Sequence, residues 1–193
     1  YIHANTADTE HFSDHCPTDN SRCAQHCLIL EEVETLPVTV TAAGYATLYA
    51  PVALEVADGV KAYTVSINEG GWADLNEIAS GVIPANTGVV LEATPETYNF
   101  NVVATGEYTL GSTDNLLTGA CPKSEKNAEK KVYTLQNGTN GVGFYLFNGY
   151  SDENDKEGTK TYINGFRAWV EVPNGGAAPA MFSLGRGEGT TAI

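Results

Sequence analysis

Val82-Ile83-Pro84-Ala85-Asn86-Thr87-Gly88-Val89-Val90-Leu91-Glu92-Ala93 is the stretch that decides the fold class of this chain. Ile83 and Pro84 lead into a turn at Asn86, Thr87 and Gly88, where glycine is expected to take a positive φ at little cost. Val89, Val90 and Leu91 then read as a short apolar strand. This is sheet architecture and carries no reactive group.

Outward from it, the same grammar repeats in both directions. Toward the N-terminus lie an alternating stretch at residues 38–41, strand-like runs at 44–51, 52–56 and 60–65, and a further strand at 72–78. Pro51 suits an edge or a bulge, since it cannot donate to a central ladder. The Ala57-Asp58-Gly59 turn predicts that the runs on either side of it form a tightly connected pair. Toward the C-terminus come strands at 97–104, 132–135, 142–147, 161–163, 166–172 and 180–184. Helix signals are nearly absent, and residues 123–131, with four lysines, read as a solvated loop or at most one helical turn. About eleven short strands separated by Gly, Pro and Asn predict an all-β, antiparallel β-sandwich, because stacking sheets is how such strands bury their alternating faces.

The 193 residues suit one such domain with an appendage, expected as a Cys/His-rich N-terminal segment over 1–36 and the β-sandwich domain over 37–193. The net charge of −14 argues against nucleic acid and anionic membrane as partners, since their phosphates would be repelled. No apolar run approaches the roughly 20 residues of a membrane-spanning helix. The chain opens at Tyr1 with no signal-peptide pattern, so it is expected to be a processed or excised piece.

The first 27 residues differ from the rest: they hold all four histidines and three of the four cysteines, with no apolar periodicity. Cross-links or docking must therefore hold this segment in place. His15-Cys16, Cys23 and His26-Cys27 offer the thiolate and imidazole ligands that zinc takes in a tetrahedron. The competing chemistry is oxidation: four cysteines in a Gly-, Thr- and Asn-rich β chain fit an oxidising compartment, where two disulfides are possible in three connectivities, with Cys121 the distant partner for one of Cys16, Cys23 and Cys27. Such a staple would stabilise by roughly 3 to 5 kcal/mol.

Other constellations are weaker. Residues 28–193 contain no histidine, so a Ser-His or Cys-His pair would need a base from the N-terminal segment, and Gly-x-Ser-x-Gly and His-Glu-x-x-His are absent. Asp152, Asn154, Asp155 and Glu157 make an oxygen-rich loop that could hold calcium but departs from the EF-hand pattern at Lys156; a solvated loop is the plainer reading. Residues 138–143, Gly-Thr-Asn-Gly-Val-Gly, resemble a phosphate loop only superficially and read as a hairpin turn. Trp72, Tyr150, Tyr162 and Trp169 lie near Gly- or Asn-containing turns, where sugar-stacking aromatics of carbohydrate-binding sandwiches project; core or rim positions are the alternative. Asn137-Gly138-Thr139 is an acceptor sequon.

Four segments carry a resemblance to a known module: Ala43-Gly44-Tyr45-Ala46-Thr47-Leu48-Tyr49 with Pro51, Val60-Lys61-Ala62-Tyr63-Thr64-Val65, Ile83 to Leu91, and Asn140-Gly141-Val142-Gly143-Phe144-Tyr145. In order and spacing these resemble the C-terminal β-sandwich accessory module of surface and secreted proteins of gut Bacteroidetes, found behind leucine-rich repeats, glycosidase domains or other adhesin-like parts. The resemblance covers residues 38–190. It implies a secreted or cell-surface, non-catalytic domain with no catalytic residues to carry over and no required cofactor; the N-terminal segment lies outside it. The expected role is adhesion, spacing or anchoring within a larger protein, with glycans or host surface proteins as partners. The alternatives are a carbohydrate-binding module accessory to a glycoside hydrolase and a self-assembling subunit that donates an edge strand from residues 28–34.

Overall fold

The computed structural model describes residues 2–4, 28–30, 33–68, 71–104, 110, 114–121, 124–149, 161–174 and 179–185. They divide into two compact units, Tyr1–Glu34 and Thr35–Ile193. In the first, β1 (Ile2–Ala4) and β2 (Leu28–Leu30) pair antiparallel, Ile2 opposite Leu30. The edge expected over 28–34 therefore has an intramolecular partner along residues 28–30. His15, Cys16, Cys23, His26 and Cys27 lie outside the described residues.

In the second unit, Val89 to Leu91 sit in β9 (Thr87–Glu92), as their apolar run requires. β9 pairs on one side with β4 (Tyr45–Ala50) and on the other with β6 (Lys61–Ile67). From β6 the sheet continues through β7 (Ala73–Glu77), β17 (Met181–Gly185), β14 (Gly141–Phe147), β13 (Lys130–Gly138), β16 (Arg167–Pro173) and β11 (Leu117–Ala120). Its pairings are antiparallel except that of β17 with β7, where Leu184 lies opposite Ala73 in parallel register. The unit is all-β, with no helix among the described residues.

The two ends of this nine-stranded sheet face each other, so that it is nearly barrel-shaped. The Ala168 N–H donates to Thr47 Oγ1 at 3.3 Å, and the Tyr49 N–H to the Phe166 carbonyl at 3.4 Å. Next to β11, the Asn115 side chain accepts from the N–H groups of Val65 and Leu117, both at 3.2 Å, and donates to the Gly88 carbonyl at 2.9 Å. One amide thus satisfies three backbone groups at the seam.

Strand alternation sorts the apolar side chains into distinct cores. Inside the curl lie Tyr63, Val65, Val90, Leu117, Tyr133, Phe144, Val170 and Phe182. The Tyr133 and Phe182 rings meet edge to face at 4.9 Å, and the Tyr133 hydroxyl donates to the Pro179 carbonyl at 2.8 Å. On the other face of β4 and β9, Leu48, Val89 and Leu91 pack against a covering layer. That layer consists of β3 (Thr35–Thr39) paired with β10 (Thr97–Asn101), and of β5 (Leu54–Glu55) paired with β8 (Val82–Ile83). A third cluster, Val132, Ile163 and Trp169, lies beside β12 (Ser124–Glu125) and β15 (Tyr162–Ile163), which pair with each other.

Several expectations are corrected here. The main strands form one large sheet that curls on itself, and it is mixed because β17 enters parallel between β14 and β7. The runs flanking Ala57-Asp58-Gly59 are not paired with each other: β5 pairs with β8 and bridges Val102, while β6 pairs with β7 and β9. The second compact unit begins at Thr35, and Thr35 and Leu36 pair with β10. Within 123–131, residues 124–125 are strand and a turn at 128–129 leads into β13. The left-handed residue of the turn before β9 is Asn86, at φ 59°, and not Gly88. Gly88 is required for space: a Cβ there would stand 2.9 Å from the Leu117 Cβ and 3.1 Å from that of Ala168, across the seam. The hairpin read at 138–143 is present, with Gly138 opposite Gly141 and Gly141 at φ 90°.

Candidate functional site

The site begins where one strand outruns its neighbour. β13 pairs with β14 from Val132 to Gly138, yet its pairing with β16 ends at Tyr133. Beyond Tyr133 the β16 side of β13 looks across a gap to β4, and a cleft of about 330 Å³ opens between them. Its size falls at the lower end of small-ligand sites, about 300–1,000 Å³.

β13 contributes Thr134, Gln136 and Asn137 to the wall; the Gln136 amide donates to Thr134 Oγ1 at 2.9 Å. Thr41, Tyr45 and Thr47 come from β4 and the turn before it. The Tyr45 hydroxyl is turned to Glu92, donating to Oε1 at 3.1 Å, while the Tyr63 hydroxyl donates to Oε2 at 2.7 Å. Two phenols therefore fix the carboxylate behind Tyr45, and Glu92 itself does not line the cleft. Leu135, Val142, Phe147 and Ile163 supply apolar surface.

The remaining wall is Asn164 and Arg167, at the entry to β16. Phe166, just before Arg167, has φ 58°, a left-handed backbone unusual for a bulky residue and costing of order 1–3 kcal/mol. It is held from both sides: its N–H donates to the Ala120 carbonyl at 2.8 Å and its carbonyl accepts from Tyr49. This conformation brings Arg167 out at the seam, exposed, where it lines both the cleft and a second groove of about 280 Å³ beside Leu36 to Thr39. Arg167 is the one arginine among the described residues, and no described acidic residue forms an ion pair with it.

Chemically, this lining is made of amides, hydroxyls, one guanidinium and aromatic or aliphatic surface. Among the described lining residues there is no histidine, cysteine, serine, lysine or carboxylate, and so among them no nucleophile–base pair and no paired carboxylates. What it can do is bind, through several modest hydrogen bonds and one strong, planar charged donor.

The residues expected from sequence fall elsewhere. Trp169, 3% exposed, belongs to the third core cluster and donates its indole N–H to Glu171 Oε1 at 3.0 Å. It has no face to offer a sugar, because its ring fills the space between Val132 and Ile163. Glu171 also accepts from Lys130 at 2.6 Å; burial alone would raise its pKa, but the two hydrogen bonds and the lysine charge outweigh burial and hold it below the usual carboxylate range. Trp72 is 46% exposed in the turn before β7, where its N–H donates to Asn68 Oδ1 at 3.1 Å, and it lines neither groove. Tyr162 is half-buried in β15, opposite Glu125. Tyr150, Asp152, Asn154, Asp155 and Glu157 lie outside the described residues. Cys121 is half-buried in the bend after β11, and its three expected partners are outside the described residues. Among the described residues no group of three or more His, Cys, Asp or Glu is arranged to hold a metal, and no helix is long and apolar enough to cross a membrane.

Sequence reasoning missed Arg167. Its signal was faint but present: in a chain with 24 acidic and 10 basic residues, an arginine just past Asn164-Gly165-Phe166, at the start of a strand, is a rare cation beside a turn. Comparison of the chain with protein-family models, with curated proteins and with solved structures finds no match, so the reading of this cleft rests on its chemistry.

Proposed function

We propose that this chain is a non-catalytic, extracytoplasmic β module of a larger secreted or surface protein, and that it adheres to carbohydrate through the cleft between β4 and β13. The observation that carries this reading is the lining itself. Thr41, Thr134, Gln136, Asn137 and Asn164 present donors and acceptors suited to sugar hydroxyls, Phe147 and Leu135 present apolar surface suited to a pyranose face, and no described lining residue can do acid–base work. The resemblance to accessory modules of adhesin-like and glycosidase-linked proteins points the same way. In this reading β4 and β9 under their β3–β10 layer are the sandwich-like half of the module. Self-assembly through an edge strand is the weaker alternative: β4 and β11 end the main sheet, but they are turned toward each other across the seam.

A glycan array followed by calorimetry on the hits tests the proposal. The expected result is saturable binding to an oligosaccharide, weakened at least about fivefold by Asn137→Ala, with no release of shorter products after prolonged incubation. Product release would end the non-catalytic reading; an array without a hit would end the glycan reading.

A further inference from the structure

We infer that the glycan is an acidic one, and that Arg167 is the residue that selects it by taking the carboxylate of a uronic-type sugar while the chain of the polymer lies along the two grooves on either side. This rests on the glycan reading above and names its ligand class. The cleft and the second groove share Thr47 and Arg167, so the guanidinium stands between two hollows of about 330 and 280 Å³. A linear polymer crossing the seam therefore meets, midway, the one formal charge among the described lining residues.

Three features make Arg167 more than a solvated side chain. Its five N–H donors are not committed to any described acidic residue, although acids outnumber bases by 24 to 10 in the sequence. The backbone before it is held in a strained form at Phe166 by two hydrogen bonds, so its position is fixed by the seam. Its flanks are neutral hydrogen-bonding groups, Thr47 and Asn164, with no described lysine in either groove. Arginine presents a planar fork that matches a carboxylate with two parallel hydrogen bonds, which neutral hydroxyls cannot match. With a net charge of −14, the rest of the molecule repels anions at long range, so the contact selects by local geometry and does not collect anions in general.

The test is calorimetry with oligogalacturonate and with its methyl ester, which replaces each carboxylate charge by a neutral methyl ester, on the wild-type chain and on R167Q, R167K and N137A. The inference expects the acid to bind about tenfold or more tightly than the ester, R167Q to abolish that preference, R167K to retain part of it, and N137A to weaken both ligands equally. Because Arg167 is exposed, circular dichroism and the thermal midpoint of R167Q are expected to match wild type. Equal binding of acid and ester, unchanged in R167Q, would overturn the inference and leave the glycan reading standing. A glutamate-rich peptide that competes as well as the sugar would overturn it in favour of an acidic protein partner. Binding of neither sugar, with R167Q properly folded, would overturn this inference; the glycan reading itself falls only if the full array is also silent.

Discussion

β9 and the far half of β13 belong to the same sheet, yet they are built to different rules. β9 is buried along four consecutive residues, while β13 passes from buried Val132 and Tyr133 to an exposed Asn137 and Gly138. The cause is cover. β9 has the inner core on one face and the β3–β10 and β5–β8 layer on the other, so both faces are apolar and the strand reads Thr-Gly-Val-Val-Leu-Glu. β13 beyond Tyr133 has lost its neighbour β16, and reads Thr-Leu-Gln-Asn-Gly. Polar side chains are tolerated there because water or a ligand can reach them, and it is there that the cleft lies.

The largest expected effect breaks this contrast into numbers. Leu48→Ala, on the doubly covered side at 2% exposure, is expected to cost about 2–5 kcal/mol in urea unfolding, whereas Leu146→Ala in β14, 46% exposed, is expected to change stability by less than about 0.5 kcal/mol. Comparable losses from both would mean that the two halves are covered alike. Next comes the seam: Gly119→Ala would place a Cβ 2.4 Å from the Tyr49 ring, and is expected to cost about 1–3 kcal/mol. A neutral result would show that the seam is loose enough to let Tyr49 move.

Trp169→Phe leaves a smaller aromatic ring in the third cluster and removes the indole donor to Glu171, for an expected loss of about 1–3 kcal/mol. Glu171 also sets a pH dependence. Its folded pKa is depressed, so its contribution is present above the unfolded value of about 4.3 and is lost as pH falls through the folded one. Glu171→Gln is thus expected to flatten the acid limb of a thermal-midpoint profile taken between pH 7 and pH 3; an unchanged limb would remove Glu171 from the acid response. The smallest effect belongs to Trp72, where replacement by Ala is expected to stay within about 0.5 kcal/mol and to leave glycan binding unaltered, since it borders neither groove.

The local parts of this fold were legible because their causes are local. The run Val89 to Leu91, the hairpin at Gly138 to Gly141 and the absence of helix follow from side-chain shape and turn chemistry within a few residues. Partner choice was not legible. Nothing near Leu54 announces that β5 will pair with Ile83 and bridge Val102 in place of joining β6, and nothing near Gly88 reveals Leu117 and Ala168 across the seam. The candidate site suffered most, because it consists of a gap between β4 and β13, and gaps arise from how strand lengths differ. Aromatics near turns drew attention to Trp169, but strand alternation placed its ring in the core, while Arg167 two residues earlier, on the same face, lay beyond the cover of β12 and β15.

The parallel insertion of β17 has a consequence for how the molecule comes into being. Residues 181–185 fill the slot between β7 and β14, so the ribosome must release residues 35–185 before the main sheet can be completed. Until then two half-sheets present unsatisfied edges, and the closing pairing joins segments far apart in the chain, which makes the final step slow by contact order. A chain of this topology stays open while it is being made and locks only when residues 181–185 arrive between their two neighbours.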